Sequence, residues 1–175
     1  GRPLKDDLEA ALQVPVELAN DANCFALAEA RLGAGRGAGC VFGVILGTGV
    51  GGGVVLDGRV RYGCQGIAGE WGHNVVDASG DLCYCGQRGC VETFLCGPSL
   101  ESYYARRAGQ QRPLEDIARR YHSGGDPHAD ATMDRLVTYF GRSLALVINI
   151  LDPEVIVLGG GVSNVDILYT LGVAQ

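Results

Sequence analysis

The chain has 175 residues, of which 47% are hydrophobic and 19% charged, and its formal net charge is −6. This composition is that of an ordinary globular domain and excludes a largely disordered chain. No basic cluster with interleaved aromatic residues is present, so we expect no nucleic-acid binding from these residues. The glycine content is unusual, because 28 of the 175 residues are glycine, which is about twice the average share of roughly 7%.

More than half of the glycines lie between Gly33 and Gly72. Residues 37–56 carry no charge and are long enough in principle to span a membrane. Their glycine content is unfavourable in a helix, so we predict two buried strands and no membrane segment. Seven unevenly spaced cysteines do not fit the paired framework of a small secreted domain, and a cytoplasmic location is therefore expected.

Hydrophobic periodicity predicts an α/β layered domain with a mixed order of helices and strands. The predicted helices are 3–12, 21–32, 98–107, 113–121, 127–151 and one that begins at 164. The predicted strands are 14–20, a meander of 40–46, 53–58 and 59–62, and 154–158. Residues 64–97, rich in glycine and cysteine, are expected to form a loop.

A group of three thiols and one imidazole lies in that loop, at Cys83, Cys85, Cys90 and His73. Structural zinc takes four cysteine and histidine ligands in a tetrahedral arrangement, which favours a closed zinc site. The spacing differs from that of two C-x-x-C knuckles, and a set of buried free thiols is the alternative.

Two glycine turns follow predicted strands, at 46–53 and at 158–161. Backbone N–H groups in such turns are able to converge on phosphate oxygens. Neither turn has the sequence of a P-loop, and a plain hairpin is the alternative for the first one. The candidate nucleotide-binding residues are Gly47, Thr48, Gly49, Gly51, Gly52, Gly159, Gly160 and Gly161.

Polar side chains precede the helix at 21–32 and interrupt the glycine-rich segment. Asn20 and Asp21 are good N-cap residues, but an aspartate at such a position is also able to accept a proton from a substrate hydroxyl. Glu70, His73 and Glu92 lie among glycines, where they are candidates to hydrogen-bond a polyol. The alternative for the glutamates is a solvated surface charge.

Five segments together resemble the ROK family of bacterial sugar kinases and related repressors. They are ELANDANCFALAEA, ILGTGVGGGVVLDG, GIAGEWGHN, CYCGQRGCVETFLCGP and NILDPEVIVLGGGVSNVDILY. The resemblance extends from about Leu18 to Leu171 and is closest to the fructokinase members, with the N-acetylglucosamine kinases next. It implies an actin-like, ribonuclease-H-like fold and phosphorylation of a hexose by ATP with Mg²⁺.

The resemblance also implies a role for each matching position. Asp21 would be the catalytic base, and Asn20, Glu70, His73 and Glu92 would contact sugar hydroxyls. Residues 47–52 would face phosphate, residues 159–161 would lie on the adenosine side, and the thiol and imidazole group would hold a structural Zn²⁺. We accordingly expect most of the glycine excess to lie where backbone approaches nucleotide, sugar or metal.

The family's initial Asp-x-Gly-Gly-Thr turn has no counterpart in this sequence. We therefore expect residues 1–20 to be the remnant of an N-terminal domain and hinge, and residues 21–175 to be a C-terminal kinase domain that ends before the family's final segment. Such a chain would have little activity alone. Family members form dimers, so a homodimer is expected. The alternatives are a sugar-responsive repressor of the same family and a zinc-stabilised interaction module.

Overall fold

The structure is a computed structural model that describes residues 3–175. The helices are α1 (Leu4–Leu12), α2 (Asp21–Leu32), α3 (Glu92–Leu95), α4 (Gly97–Ala108), α5 (Leu114–Ser123), α6 (Pro127–Leu151) and α7 (Leu171–Ala174). The strands are β1 (Cys40–Leu46), β2 (Val50–Leu56), β3 (Arg59–Val60) and β4 (Val155–Gly159). Two 3₁₀ turns, Gly161–Asn164 and Asp166–Tyr169, precede α7.

A mixed four-stranded sheet has the order β3-β2-β1-β4. Strand β1 pairs antiparallel with β2 and parallel with β4. Helices α3 to α6 form the connection between β3 and β4. Successive β1 residues point to opposite faces of the sheet. Phe42, Val44 and Leu46 enter the main core, whereas Val41 packs against α2.

Helix α2 lies very close to the sheet because glycine faces alanine there. A Cβ atom built on Gly43 would lie 2.6 Å from the Cβ of Ala26, and one on Gly53 would lie 2.9 Å from the same atom. These two glycines are thus exceptions to the expectation that most of them lie where a ligand approaches. Here the missing side chains let a helix pack against a strand.

The main core lies between the other face of the sheet and the C-terminal helices. Its largest fully buried side chains include Phe42, Phe94, Tyr104, Met133 and Phe140. The apolar stripe predicted for 127–151 is confirmed as α6, whose bounds match the prediction. No helix within residues 3–175 combines the length and hydropathy that a membrane span requires.

The structure differs from the predicted elements at four places. Residues 15–20 have no regular secondary structure and join no strand of the described chain, and Leu18 is exposed. Strand β2 begins at Val50, earlier than predicted, because it pairs with β1 through its glycines. The predicted helix from 164 is instead the two 3₁₀ turns and the short α7, and α3 was not predicted.

Candidate functional site

A cavity of about 380 Å³ lies at the N-terminus of α2, beside the turn that joins β1 and β2. It brings together side chains that are far apart in the sequence, and it contains every predicted sugar-contacting residue. The predicted residues that line it are Asn20, Asp21, Gly47, Thr48, Gly49, Gly51, Glu70, His73 and Glu92. Most of this continuous surface thus consists of residues predicted from the sequence.

The start of α2 fixes the first two of these residues. The side-chain oxygen of Asn20 caps the helix by accepting from the backbone N–H of Asn23 at 3.0 Å. Its amide nitrogen donates to Oε1 of Glu70 at 3.4 Å. Asn20 therefore caps the helix and also contacts another residue that lines the cavity. Asp21 accepts from the N–H of Ala22 at 2.9 Å and is exposed, which leaves its carboxylate accessible to a substrate hydroxyl.

The opposite wall of the cavity is tied to β2 by two side chains. Oε2 of Glu92 accepts from the backbone N–H of Val50 at 3.0 Å, and a Cβ on Gly49 would lie 2.7 Å from that oxygen. The indole N–H of Trp71 donates to the carbonyl of Gly51 at 2.9 Å. These contacts hold the glycine turn and the segment containing Glu92 in one fixed arrangement.

The four predicted metal ligands meet at one side of this cavity. Ligand atoms of His73, Cys83, Cys85 and Cys90 all lie within 4.8 Å of one another. The Cys85 and Cys90 sulfurs are 3.6 Å apart, and Nδ1 of His73 is 3.4 Å from the Cys83 sulfur. Tetrahedral zinc with bonds of about 2.3 Å to sulfur and 2.0 Å to nitrogen requires separations of roughly 3.8 and 3.5 Å. The donor set therefore fits zinc in both chemistry and size.

The thiols of this cluster have unlike acidities. Burial, with hydrogen bonds from its neighbouring thiols, raises the pKa of Cys90 to about 12. The backbone N–H of Gln87 lowers the pKa of Cys85. A divalent cation among the sulfurs would favour the thiolate form of all three.

A second cavity, of about 790 Å³, also borders the β1–β2 turn. Gly47 and Thr48 line both cavities, and Gly161 lines the second. A Cβ atom on Gly47 or on Gly161 would meet nothing within 4 Å, so the backbone there is open to a ligand.

Three predicted nucleotide-binding glycines do not line either of these cavities. Gly52 is buried within β2, where a Cβ atom would lie 2.8 Å from Trp71. Gly159 packs against Phe25, and Gly160 lies close to the backbone of Leu46 with φ 85°. Their surroundings are protein atoms, which gives all three a packing role in this fold.

Several lining residues were not predicted. The hydroxyl of Tyr84 lies 2.8 Å from Nε2 of His73, and this side chain is 83% exposed. Its position between two cysteines of the metal cluster was the available signal. Glu101, Glu115 and Asn164 line the second cavity. No sequence motif marks them, because only the packing of α4, α5 and the first 3₁₀ turn brings them together.

A sequence profile described as the ROK family matches residues 1–174. The chain is 41% identical over 181 aligned positions to an N-acetyl-D-glucosamine kinase of Pectobacterium carotovorum, an alignment that covers 98% of this chain and 59% of the relative. It thus spans less than two thirds of the curated relatives it matches.

Two solved structures share the fold. A ROK family glucokinase from Streptomyces griseus, in complex with glucose and AMPPNP, matches with a TM-score of 0.82 and 35% identity over 93% of this chain and 57% of that one. A ROK family transcriptional regulator, a homologue of the E. coli MLC protein, matches with a TM-score of 0.82 and 33% identity over 98% of this chain and 46% of that one. The predicted actin-like α/β fold is confirmed.

Proposed function

The chain belongs to the ROK family, and we propose that the protein carrying it transfers the γ-phosphoryl group of ATP to a hydroxyl of a hexose. The observation that carries this proposal is the β1–β2 turn. Gly47 and Thr48 line two cavities at once, and the exposed carboxylate of Asp21 lies in the smaller one. Direct phosphoryl transfer requires the phosphoryl donor and the acceptor to meet, and two cavities that share one turn allow this.

The smaller cavity would hold the sugar. Asn20, Glu70, His73 and Glu92 supply amide, carboxylate and imidazole groups for its hydroxyls, and Asp21 accepts the proton of the attacking hydroxyl. The hydroxyl oxygen forms a bond to the γ-phosphorus as the bond to the β–γ bridging oxygen breaks, and ADP leaves. The larger cavity would hold ATP, which enters with Mg²⁺, and the backbone at 47–49 would face its phosphates.

The metal cluster would hold one structural Zn²⁺ through His73, Cys83, Cys85 and Cys90. Four protein ligands leave no open position, so the ion would order the loop and take no part in the reaction. Nδ1 of His73 faces the cluster, whereas its Nε2 faces the hydroxyl of Tyr84 in the sugar cavity. One imidazole would thereby link metal binding to the shape of the sugar pocket.

The identity of the hexose is a separate part of the proposal. The sequence resemblance favours fructose, whereas the named curated relative is an N-acetyl-D-glucosamine kinase. We therefore propose a hexose or N-acetylhexosamine as the substrate class, in a homodimeric, cytoplasmic enzyme. A panel of fructose, glucose, mannose and N-acetylglucosamine with the complete protein identifies the preferred sugar.

The test is ATP-dependent phosphorylation by the complete protein and by its Asp21→Asn variant. Asn keeps the size of the side chain but is a far weaker base, so kcat should fall at least about a hundredfold with little change in the sugar KM. Asp134→Asn, which removes an exposed carboxylate from α6, is the matched control. Undiminished kcat in Asp21→Asn would show that this residue is not the base.

A sugar-responsive repressor is the second candidate, because a regulator shares the fold at a TM-score of 0.82. Asp21 and the LGTGVGGG turn favour the kinase, since sugar sensing alone needs neither a base nor a phosphate turn. Sugar-dependent binding of the complete protein to DNA, with no ATP turnover on any sugar of the panel, would replace the kinase by the repressor.

A further inference from the structure

The segment that carries the metal ligands, residues 73–90 (the metal loop), is attached to α6 by a hydrogen bond outside the ligand set. The Tyr139 hydroxyl donates to Oδ2 of Asp77 at 2.6 Å. The hydroxyl and the backbone N–H of Ser79 donate to the other carboxylate oxygen at 2.6 and 2.9 Å. Hydrogen bonds from Ser79 and Tyr139 lower the pKa of Asp77 to about 2, so it is ionised at neutral pH.

A cluster of aromatic rings around one arginine, on α3, α4 and α6, packs next to this hydrogen bond. The Tyr139 ring stacks on Phe94 with centroids 3.7 Å apart. The guanidinium of Arg135, whose side chain is only 15% exposed, lies 4.2 Å from the Phe94 centroid and 4.6 Å from that of Tyr103. Contacts of two aromatic rings with a largely desolvated cation stabilise this arrangement.

A second carboxylate of the metal loop lies next to the arginine of this cluster. Oδ2 of Asp81 lies 2.8 Å from Nη2 of Arg106 on α4 and 4.0 Å from Nη2 of Arg135. The metal loop thus contacts α4 and α6 through two acidic side chains, Asp77 and Asp81. None of the residues of this attachment lines either of the two proposed ligand cavities.

Backbone contacts pass the position of Asp77 directly to the metal ligands. The N–H of Val76 donates to the carbonyl of Gly89, and the N–H of Gly89 donates to the carbonyl of Asp81, both at 2.9 Å. Gly89 has φ 70°, and a Cβ atom there would overlap the carbonyl oxygen of Asp77. Cys90 follows immediately, so moving Asp77 moves a metal ligand.

We infer that Asp77 and Tyr139 are positioning residues that clamp the metal loop onto α6 and so set the geometry of the metal cluster and of the sugar cavity beside it. The inference rests on the proposed metal and sugar sites. It assigns to α6, which supplies no ligand, control over how tightly the metal is held. Partners outside a ligand set affect metal affinity because they fix the orientation of the ligands.

The test compares Tyr139→Phe, Asp77→Ala and Asp77→Asn in the complete protein. Tyr139→Phe keeps the stacked ring and removes only the hydroxyl, whereas Asp77→Asn keeps one of the two acceptor oxygens and so only part of the hydrogen bonding. Tyr121→Phe, which removes a hydroxyl from α5, is the control. The first readout is the rate at which a chromogenic chelator withdraws Zn²⁺, and the second is trypsin cleavage after Arg88, the single lysine or arginine between Arg61 and Arg106.

Both rates should rise about tenfold in Tyr139→Phe and Asp77→Ala, less in Asp77→Asn, and not in Tyr121→Phe. The sugar KM should rise in the same order while the ATP KM stays constant, a split that a general loss of stability would not produce. Wild-type rates in both Tyr139→Phe and Asp77→Ala would overturn the clamp. If the wild-type protein takes up no Zn²⁺, the proposed metal site is wrong, and the cleavage rates alone decide the clamp.

Discussion

Helix α2 and the metal loop border the same cavity but are held in place by different forces. Helix α2 packs through alanines against glycines of the sheet, with Ala22, Ala26 and Ala30 buried. The metal loop has little regular structure and depends on turns, short bridges and four potential metal ligands. Apolar burial therefore fixes the proposed base Asp21, whereas coordination and hydrogen bonding would fix the proposed sugar contact His73.

The first prediction concerns the loss of one metal ligand from the metal loop. We expect about one zinc per wild-type chain and almost none in Cys85→Ser, because a serine hydroxyl is a poor zinc ligand. Hydrogen exchange should then rise across 73–90 while β1, β2 and α2 stay protected. Cys64→Ser, which changes an exposed thiol outside the cluster, is the control. A folded wild-type protein without metal would contradict the metal site.

The second prediction concerns a substitution that disturbs the packing of α2 against the sheet. In Gly43→Val the new side chain would overlap Ala26, whose backbone lies 2.8 Å from the Cβ position, so the helix must move. We expect the free energy of unfolding to fall by about 1–3 kcal/mol, measured by urea denaturation, with metal content unchanged. Gly97→Ala is the control, since a Cβ there makes only an ordinary contact at 3.5 Å. Loss of the metal in Gly43→Val would show that the two regions are not independent.

The third prediction concerns charge in the helical layer and has the smallest effect. Asp126 caps α6, and a hydrogen bond from the Tyr104 hydroxyl lowers its pKa. A lowered carboxyl pKa stabilises the fold above its unfolded value of about 3.9, and this stabilisation is lost as the pH falls through the folded value.

Asp126→Ala should therefore cost about 1 kcal/mol at pH 7 and less near pH 3, again by urea denaturation. Asp126→Asn keeps the capping oxygen and should lose less stability at pH 7. An equal loss in Asp126→Ala at both pH values would show that the charge of this carboxylate does not contribute.

Different sequence signals predict the elements held by apolar burial and the metal loop. Apolar periodicity located α2, β1, β4 and α6, because burial of one face leaves a repeating pattern. It wrongly assigned a strand to 14–20, since hydrogen bonding to a partner strand is not encoded in local periodicity. The metal cluster was predicted from residue types and spacing, and the structure brings its four members together.

Other features required three-dimensional contacts. The role of Gly43 against Ala26 and the hydrogen bond of Tyr139 with Asp77 join positions separated in sequence by 17 and 62 residues. Nothing in their local sequence distinguishes these residues from ordinary strand, helix or loop positions.

The central claim is that sugar and nucleotide meet across the β1–β2 turn, with Asp21 at the reacting hydroxyl. A crystal structure of the complete protein with its preferred hexose and a non-hydrolysable ATP analogue tests this most directly. We expect the phosphates against residues 47–49 and a sugar hydroxyl within hydrogen-bonding distance of the Asp21 carboxylate. A sugar bound away from Asp21, or a nucleotide bound away from the turn, would contradict the account.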